Sequence, residues 1–263
     1  MGRLSVARWI AVALLCLVGS QALADPTGGY RVERISADGA TQAGKALVAP
    51  SGRAFALEWD LEDGGRYRGL GLQVDDVLGA VFWPQEEKFE GLGIVLYRID
   101  GGRMQGVWMP TGGSNVPPGR ENLIGAPSLE GRFDVTLGEN PGGRSNYRGH
   151  VVIERRGEIY YFHWYTPTDS YVGNGVRIGN IMVVGYALGR APGTVAYCLR
   201  GNRLDGLWSY AAETRTGREL LRPPGEAPVG KPGVATAGKA ECAGTIAAIR
   251  SSVDAAALAL PQQ

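Results

Sequence analysis

Apolar and polar residues alternate along most of the chain. Phe55, Leu57 and Trp59 share one parity with Ala56 and Glu58 between them, and Tyr160, Phe162 and Trp164 do the same around Tyr161 and His163. Val95, Tyr97 and Ile99 return as Val195, Tyr197 and Leu199. A period of two over such short runs predicts strands that bury one face. Turn signals fall roughly every ten residues, among them Asp38-Gly39, Ser51-Gly52, Asp63-Gly64-Gly65, Asp100-Gly101-Gly102, Arg156-Gly157 and Gly201-Asn202. This spacing predicts short antiparallel strands joined by tight turns.

The pattern also repeats. Tyr30 matches Phe133, Gly44 matches Gly149, Gly52 matches Gly157 and Trp59 matches Trp164. Tyr67, Gly69 and Gly71 match Tyr171, Gly173 and Gly175, and Gly93, Val95 and Tyr97 match Gly193, Val195 and Tyr197. The series closes with Gly106-Val107-Trp108 against Gly206-Leu207-Trp208, and Gly119-Arg120-Glu121 against Gly217-Arg218-Glu219. An ordered set of this kind marks an internal duplication, which fixes the architecture before any single element does. The expected units are residues 28–124 and 130–222, with 127–130 as the joint.

About eight strands per copy must bury one face and dispose of two edges, and closure into a small barrel does both. The expected fold is therefore all-β, with two tandem antiparallel barrels of about eight strands each. An open sandwich is the competing arrangement. Composition agrees with a turn-rich β protein: 41 Gly and 15 Pro are too many breakers for a helical bundle. After Leu221 the period is lost. Residues 223–240 are rich in Pro, Gly and Ala and read as a linker. Residues 241–263 are Ala-rich, with Ile246, Ile249, Val253 and Leu258 spaced for one face of a short helix.

The first 24 residues carry Arg3 and Arg8, an apolar run from Trp9 to Val18, and Ala22-Leu23-Ala24. They read as a secretory signal peptide, because the run is about half the ~20 residues a membrane span requires. Leu15 before Cys16 argues against a lipidation signal. The protein is expected to be exported, periplasmic or secreted, without a membrane span. Loss of the two arginines leaves a nearly neutral chain, so no global field favours nucleic acid. Cys198 and Cys242 remain, and two thiols in an oxidising compartment favour one disulfide over a metal cage; two unrelated thiols are the alternative.

Several strings carry a family resemblance: Gly131-Arg132-Phe133-Asp134-Val135, Asn140-Pro141-Gly142-Gly143, Tyr147-Arg148-Gly149, Gly193-Thr194-Val195-Ala196-Tyr197, Leu204-Asp205-Gly206-Leu207-Trp208 and Gly217-Arg218-Glu219-Leu220. Each copy resembles the repeat, about 90 residues long, of exported bacterial proteins called fibronectin-binding. The first copy departs from it with Ala37-Asp38-Gly39 in place of an Asn-Pro turn. The resemblance implies an exported, non-enzymatic protein that adheres to a host or matrix partner such as fibronectin. By fold analogy alone the build also resembles avidin-like and lipocalin-like barrels, which implies a small-ligand carrier.

Candidate residues follow from the repeats. Arg120–Glu121 and Arg218–Glu219 form either a polar handle for a partner or a hydrogen-bonded closure of the first and last strands. Trp59, Tyr97, Trp108, Trp164, Tyr197 and Trp208 are expected in the barrel cores, with a ligand cavity as the other reading. Trp83, Phe89, Tyr165 and Tyr210 are not shared between copies and are the expected exposed contacts for a protein or glycan partner. No Gly-x-Ser-x-Gly, His-Glu-x-x-His or Walker pattern occurs, and neither His150 nor His163 sits in a nucleophile–base pattern, so no catalytic residue, metal site or cofactor is expected.

Overall fold

The computed structural model describes residues 24–143, 145–210 and 213–226. The expected signal peptide, Cys242 and the C-terminal helix lie outside the described residues, as does the linker beyond residue 226.

Sixteen strands follow one another: β1 (Gly28–Ile35), β2 (Thr41–Ser51), β3 (Ala54–Leu61), β4 (Arg66–Val74), β5 (Val77–Pro84), β6 (Gly93–Asp100), β7 (Arg103–Pro110), β8 (Gly119–Ile124), β9 (Gly131–Glu139), β10 (His150–Arg156), β11 (Ile159–Tyr165), β12 (Ser170–Ile178), β13 (Ile181–Leu188), β14 (Gly193–Arg200), β15 (Arg203–Ser209) and β16 (Gly217–Arg222). They close into two eight-stranded antiparallel barrels, so every strand has a neighbour on both sides and no edge is exposed. The duplication is visible strand for strand: Trp59 lies in β3 and Trp164 in β11, Trp108 in β7 and Trp208 in β15. Among the described residues no helix is long and apolar enough to cross a membrane.

The barrels do not coincide with the sequence copies. One is continuous, β6 to β13, closed by β13 pairing with β6 through Val184↔Val95 and Gly185↔Ile94. The other is split: β1 to β5 are completed by β14 to β16, with β5 meeting β14 through Ala80↔Val195 and β1 meeting β16 through Arg34↔Glu219. The expectation that 28–124 and 130–222 each close on themselves is thus corrected. Each copy supplies eight strands, but the last three strands of each are exchanged between barrels. The physical reason lies in the duplication itself, since β6–β8 and β14–β16 present nearly the same inward faces and either set can complete either barrel.

Inward parity is as the alternation requires. Val32, Val48, Leu57, Leu78, Tyr197 and Leu221 fill the split barrel, while Tyr97, Met104, Phe133, Ile153, Phe162 and Val184 fill the continuous one. A third apolar cluster joins outward faces of both barrels, with Leu72, Val81 and Ala196 against Ile94, Leu96 and Val183. Cys198 belongs to this seam. It points away from its own barrel, opposite in parity to Tyr197 and Leu199, and is fully buried in the seam. The seam is close enough to need glycine on both sides, each glycine facing the valine that stands at its own equivalent position in the other barrel. A Cβ on Gly79 would lie 2.6 Å from Val183 Cγ1, and one on Gly185 would lie 2.9 Å from Val81 Cγ2.

Candidate functional site

Each barrel holds a glutamate on its inner wall. Glu121 follows Arg120 on β8, and because successive side chains alternate, the glutamate points in and the arginine out. Arg120 forms a surface ion pair with Glu139 at 2.5 Å. The anticipated Arg–Glu handle therefore does not form in either copy: Glu121 and Glu219 are buried, while Arg120 is exposed and Arg218 half-buried.

Inside the continuous barrel, Glu121 Oε1 accepts hydrogen bonds from the Tyr97 hydroxyl and from Trp164 Nε1, the latter at 3.0 Å. Its Oε2 accepts one from the Tyr147 hydroxyl at 2.7 Å. In the split barrel Glu219 Oε1 accepts from the Tyr197 hydroxyl and from Trp59 Nε1, the latter at 3.2 Å. The two Trp–Tyr–Glu trios are equivalent, and the strand exchange builds each from both sequence copies. The ring packing also repeats. Tyr186 lies 5.7 Å from Trp164, 5.7 Å from Tyr171 and 6.4 Å from Trp108; its counterpart Phe82 lies 5.9 Å from Trp59, 5.8 Å from Tyr67 and 6.4 Å from Trp208.

Against this symmetry two differences stand out. In the split barrel Arg34 comes off β1, directly opposite Glu219, and places its Nε 3.5 Å from Glu219 Oε2. The same guanidinium sits 4.0 Å over the Trp208 ring and 5.9 Å from the Tyr67 ring. Tyr210 then stacks on Phe82 at 5.9 Å and packs, partly buried, against the barrel's core. Arg34, not Arg218, thus forms an ion pair with Glu219 where β1 meets β16.

In the continuous barrel a bulge between Asn122 and Leu123 shifts the β8–β9 register, so that Gly138 stands opposite Glu121. A side chain there would meet the Tyr147 backbone, since a Cβ would lie 2.5 Å from its carbonyl oxygen. Tyr147 supplies a neutral hydroxyl where Arg34 supplies a cation, and the sequence equivalent of Tyr210 is Pro110. The result is an open cavity of about 1130 Å³ that reaches Glu121, with Trp108, Tyr147, Trp164, Tyr171 and Tyr186 in its walls. The Tyr186 hydroxyl is buried and makes no hydrogen bond among the described residues. Asp169 and Arg148 line the cavity as exposed residues at its rim.

Burial pushes the Glu121 carboxyl above its ordinary value, and the hydrogen bonds from Tyr97, Trp164 and Tyr147 pull it down without overcoming that push. Burial, reinforced by the Glu121 charge, raises the Tyr97 and Tyr147 hydroxyls as well. The Tyr97 and Tyr147 hydroxyls both donate to the Glu121 carboxylate.

The six expected core aromatics all face inward, but Trp108 and Trp164 also form cavity wall. Of the four expected surface aromatics only Tyr165 is exposed, stacked on His150 at 4.9 Å. Trp83 and Phe89 pack against the seam, with Arg190 4.1 Å over the Phe89 ring, and Tyr210 is drawn into the split barrel. Sequence reasoning missed Arg34, Tyr147 and Tyr186. Arg34 carried a usable signal, because it shares the inward parity of Tyr30 and Val32.

The fold and the site together define a paired up-and-down β-barrel with one filled and one open interior. Comparison with family models, with curated proteins and with solved structures finds no match to this chain.

Proposed function

We propose that the protein is a non-catalytic binding protein, exported as its first 24 residues suggest, and that its continuous barrel carries a small ligand. The observation that carries this reading is the difference between two otherwise equivalent barrels. One is plugged by Arg34 and Tyr210; the other leaves about 1130 Å³ open above Glu121. Clefts of roughly 300–1,000 Å³ lined by aromatic side chains around a few convergent polar groups are the usual form of small-molecule sites. The split barrel then acts as the structural half, with the seam holding the two together. Cys198 and Cys242 are proposed to form a disulfide that ties the segment after β16 to that half.

The resemblance to fibronectin-binding repeats points instead to a protein partner. That reading relies on surface aromatics, and three of the four proposed are partly buried against the barrels, which is why the cavity reading is preferred. An uncharged environment-sensitive dye, N-phenyl-1-naphthylamine, tests the proposal. Saturable fluorescence enhancement is expected with the unaltered protein, and loss of it with Val135→Phe, which fills the cavity wall. Absence of saturable binding, or equal binding by the variant, would overturn the carrier reading.

A further inference from the structure

The split barrel shows what its inner site accepts. Arg34 is held there by three contacts at once: the carboxylate of Glu219, the face of Trp208 and the more distant ring of Tyr67. All three have equivalents in the continuous barrel, namely Glu121, Trp108 and Tyr171, and all three line the open cavity. The cation alone has no equivalent, since Gly138 stands at the position of Arg34. Tyr147 satisfies one carboxylate oxygen with a hydroxyl but brings no charge.

We infer that the continuous barrel binds an organic cation, a guanidinium or alkylammonium group borne on an apolar body, with Glu121 as counter-ion and Trp108 and Tyr171 as the aromatic wall. This rests on the small-ligand reading and names its ligand class. A carboxylate buried among rings without a cation is an incomplete ion pair, and a positive ligand completes it. Aromatic faces favour the same ligand, because the ring quadrupole attracts a desolvated cation. A carboxylate beside such rings selects against an anion. At the rim Asp169 adds attraction and Arg148 opposes it. The cavity volume leaves room for a hydrocarbon or aromatic body behind the charged head, which the Arg34 side chain itself supplies in the split barrel.

Calorimetric titration of the full chain with phenethylguanidinium, phenethylammonium, phenethyl alcohol and phenylacetate tests the inference. The two cations are expected to bind at least about tenfold more tightly than the alcohol, as charge-assisted contacts require. Phenylacetate is expected to bind weakest. Glu121→Gln should reduce the cations to the affinity of the alcohol, whereas Tyr147→Phe, which frees a carboxylate oxygen and keeps the charge, should preserve the preference. The comparison of probes on the unaltered protein stands even if Glu121→Gln folds poorly. Equal or tighter binding of the alcohol or of phenylacetate would overturn the cation inference and leave the carrier reading intact. So would failure of both cations to bind while the uncharged dye binds. Failure of the dye as well would overturn both.

Discussion

Arg34→Met separates the plugged barrel from the open one. Arg34 is 6% exposed and its Nε lies 3.5 Å from Glu219 Oε2, so methionine keeps the apolar stem and removes the charge from a dry site. Breaking a buried ion pair by removing one partner costs about 3–5 kcal/mol, because the remaining charge is left uncompensated. The contact with the Trp208 ring at 4.0 Å is lost at the same time and argues for the upper part of that range. At about 2–4 °C per kcal/mol for a chain of this size, the melting temperature should fall by roughly 6–20 °C. Urea titration followed by tryptophan fluorescence is the appropriate assay, since guanidinium could itself occupy the vacated site. Adding Glu219→Gln should restore much of the loss, giving a favourable coupling of about 0.5–3 kcal/mol in the double-mutant cycle. A loss below about 1 kcal/mol for Arg34→Met, with no coupling to Glu219, would refute the claim that a buried ion pair plugs this barrel.

Glu121 gives a pH signature. Its folded-state carboxyl lies above the unfolded value because of burial, so the folded state holds the extra proton; its contribution to stability is full below the ordinary carboxylate range and is lost as pH rises through the folded value. Urea unfolding across mildly acidic pH should show that decline, and Glu121→Gln should flatten it; Tyr97, Tyr147, Tyr171, Tyr186, Asp169 and Arg148, the other titratable or charged groups around the site, are left in place. Gly79→Ala should destabilise by about 1–3 kcal/mol through overpacking against Val183, and Val183→Ala in the same chain should recover part of it, both read from urea midpoints. Free-thiol titration of the unreduced, denatured protein should find no reactive thiol once Cys198 and Cys242 are bridged, a bond worth up to about 4 kcal/mol for a loop of this length; two reactive thiols per processed chain would exclude it.

The alternation of Phe55-Leu57-Trp59 and Tyr160-Phe162-Trp164 was sufficient to place strands and their inward faces, and the matched tryptophans to place the duplication. Closure was not legible for a physical reason. Period-two patterning tells which face a strand buries but not which strand lies beside it. With β6 and β14 nearly equivalent, the pairings Val95↔Val184 and Val195↔Ala80 are as acceptable to the pattern as pairings within one copy. The outward apolar positions Leu96, Val183 and Val81 were the trace of the seam, since a barrel facing water on all sides would not need them. Within the site the repeated Gly-Arg-Glu string located both glutamates. Their partners Arg34 and Tyr147 come from β1 and from the β9–β10 loop, and the bulge that sets Gly138 rather than Leu137 opposite Glu121 leaves no mark in the residue pattern. The matched positions do differ, with Leu137 in place of Arg34 and Pro110 in place of Tyr210, but the residue pattern does not say that Arg34 and Tyr210 meet at one barrel end.

A crystal structure of the protein grown with phenethylguanidinium should place the guanidinium against Glu121 and over Trp108 in the continuous barrel, with the split barrel still closed by Arg34 and Tyr210. A ligand found in the split barrel, or bound only outside both barrels, would contradict it.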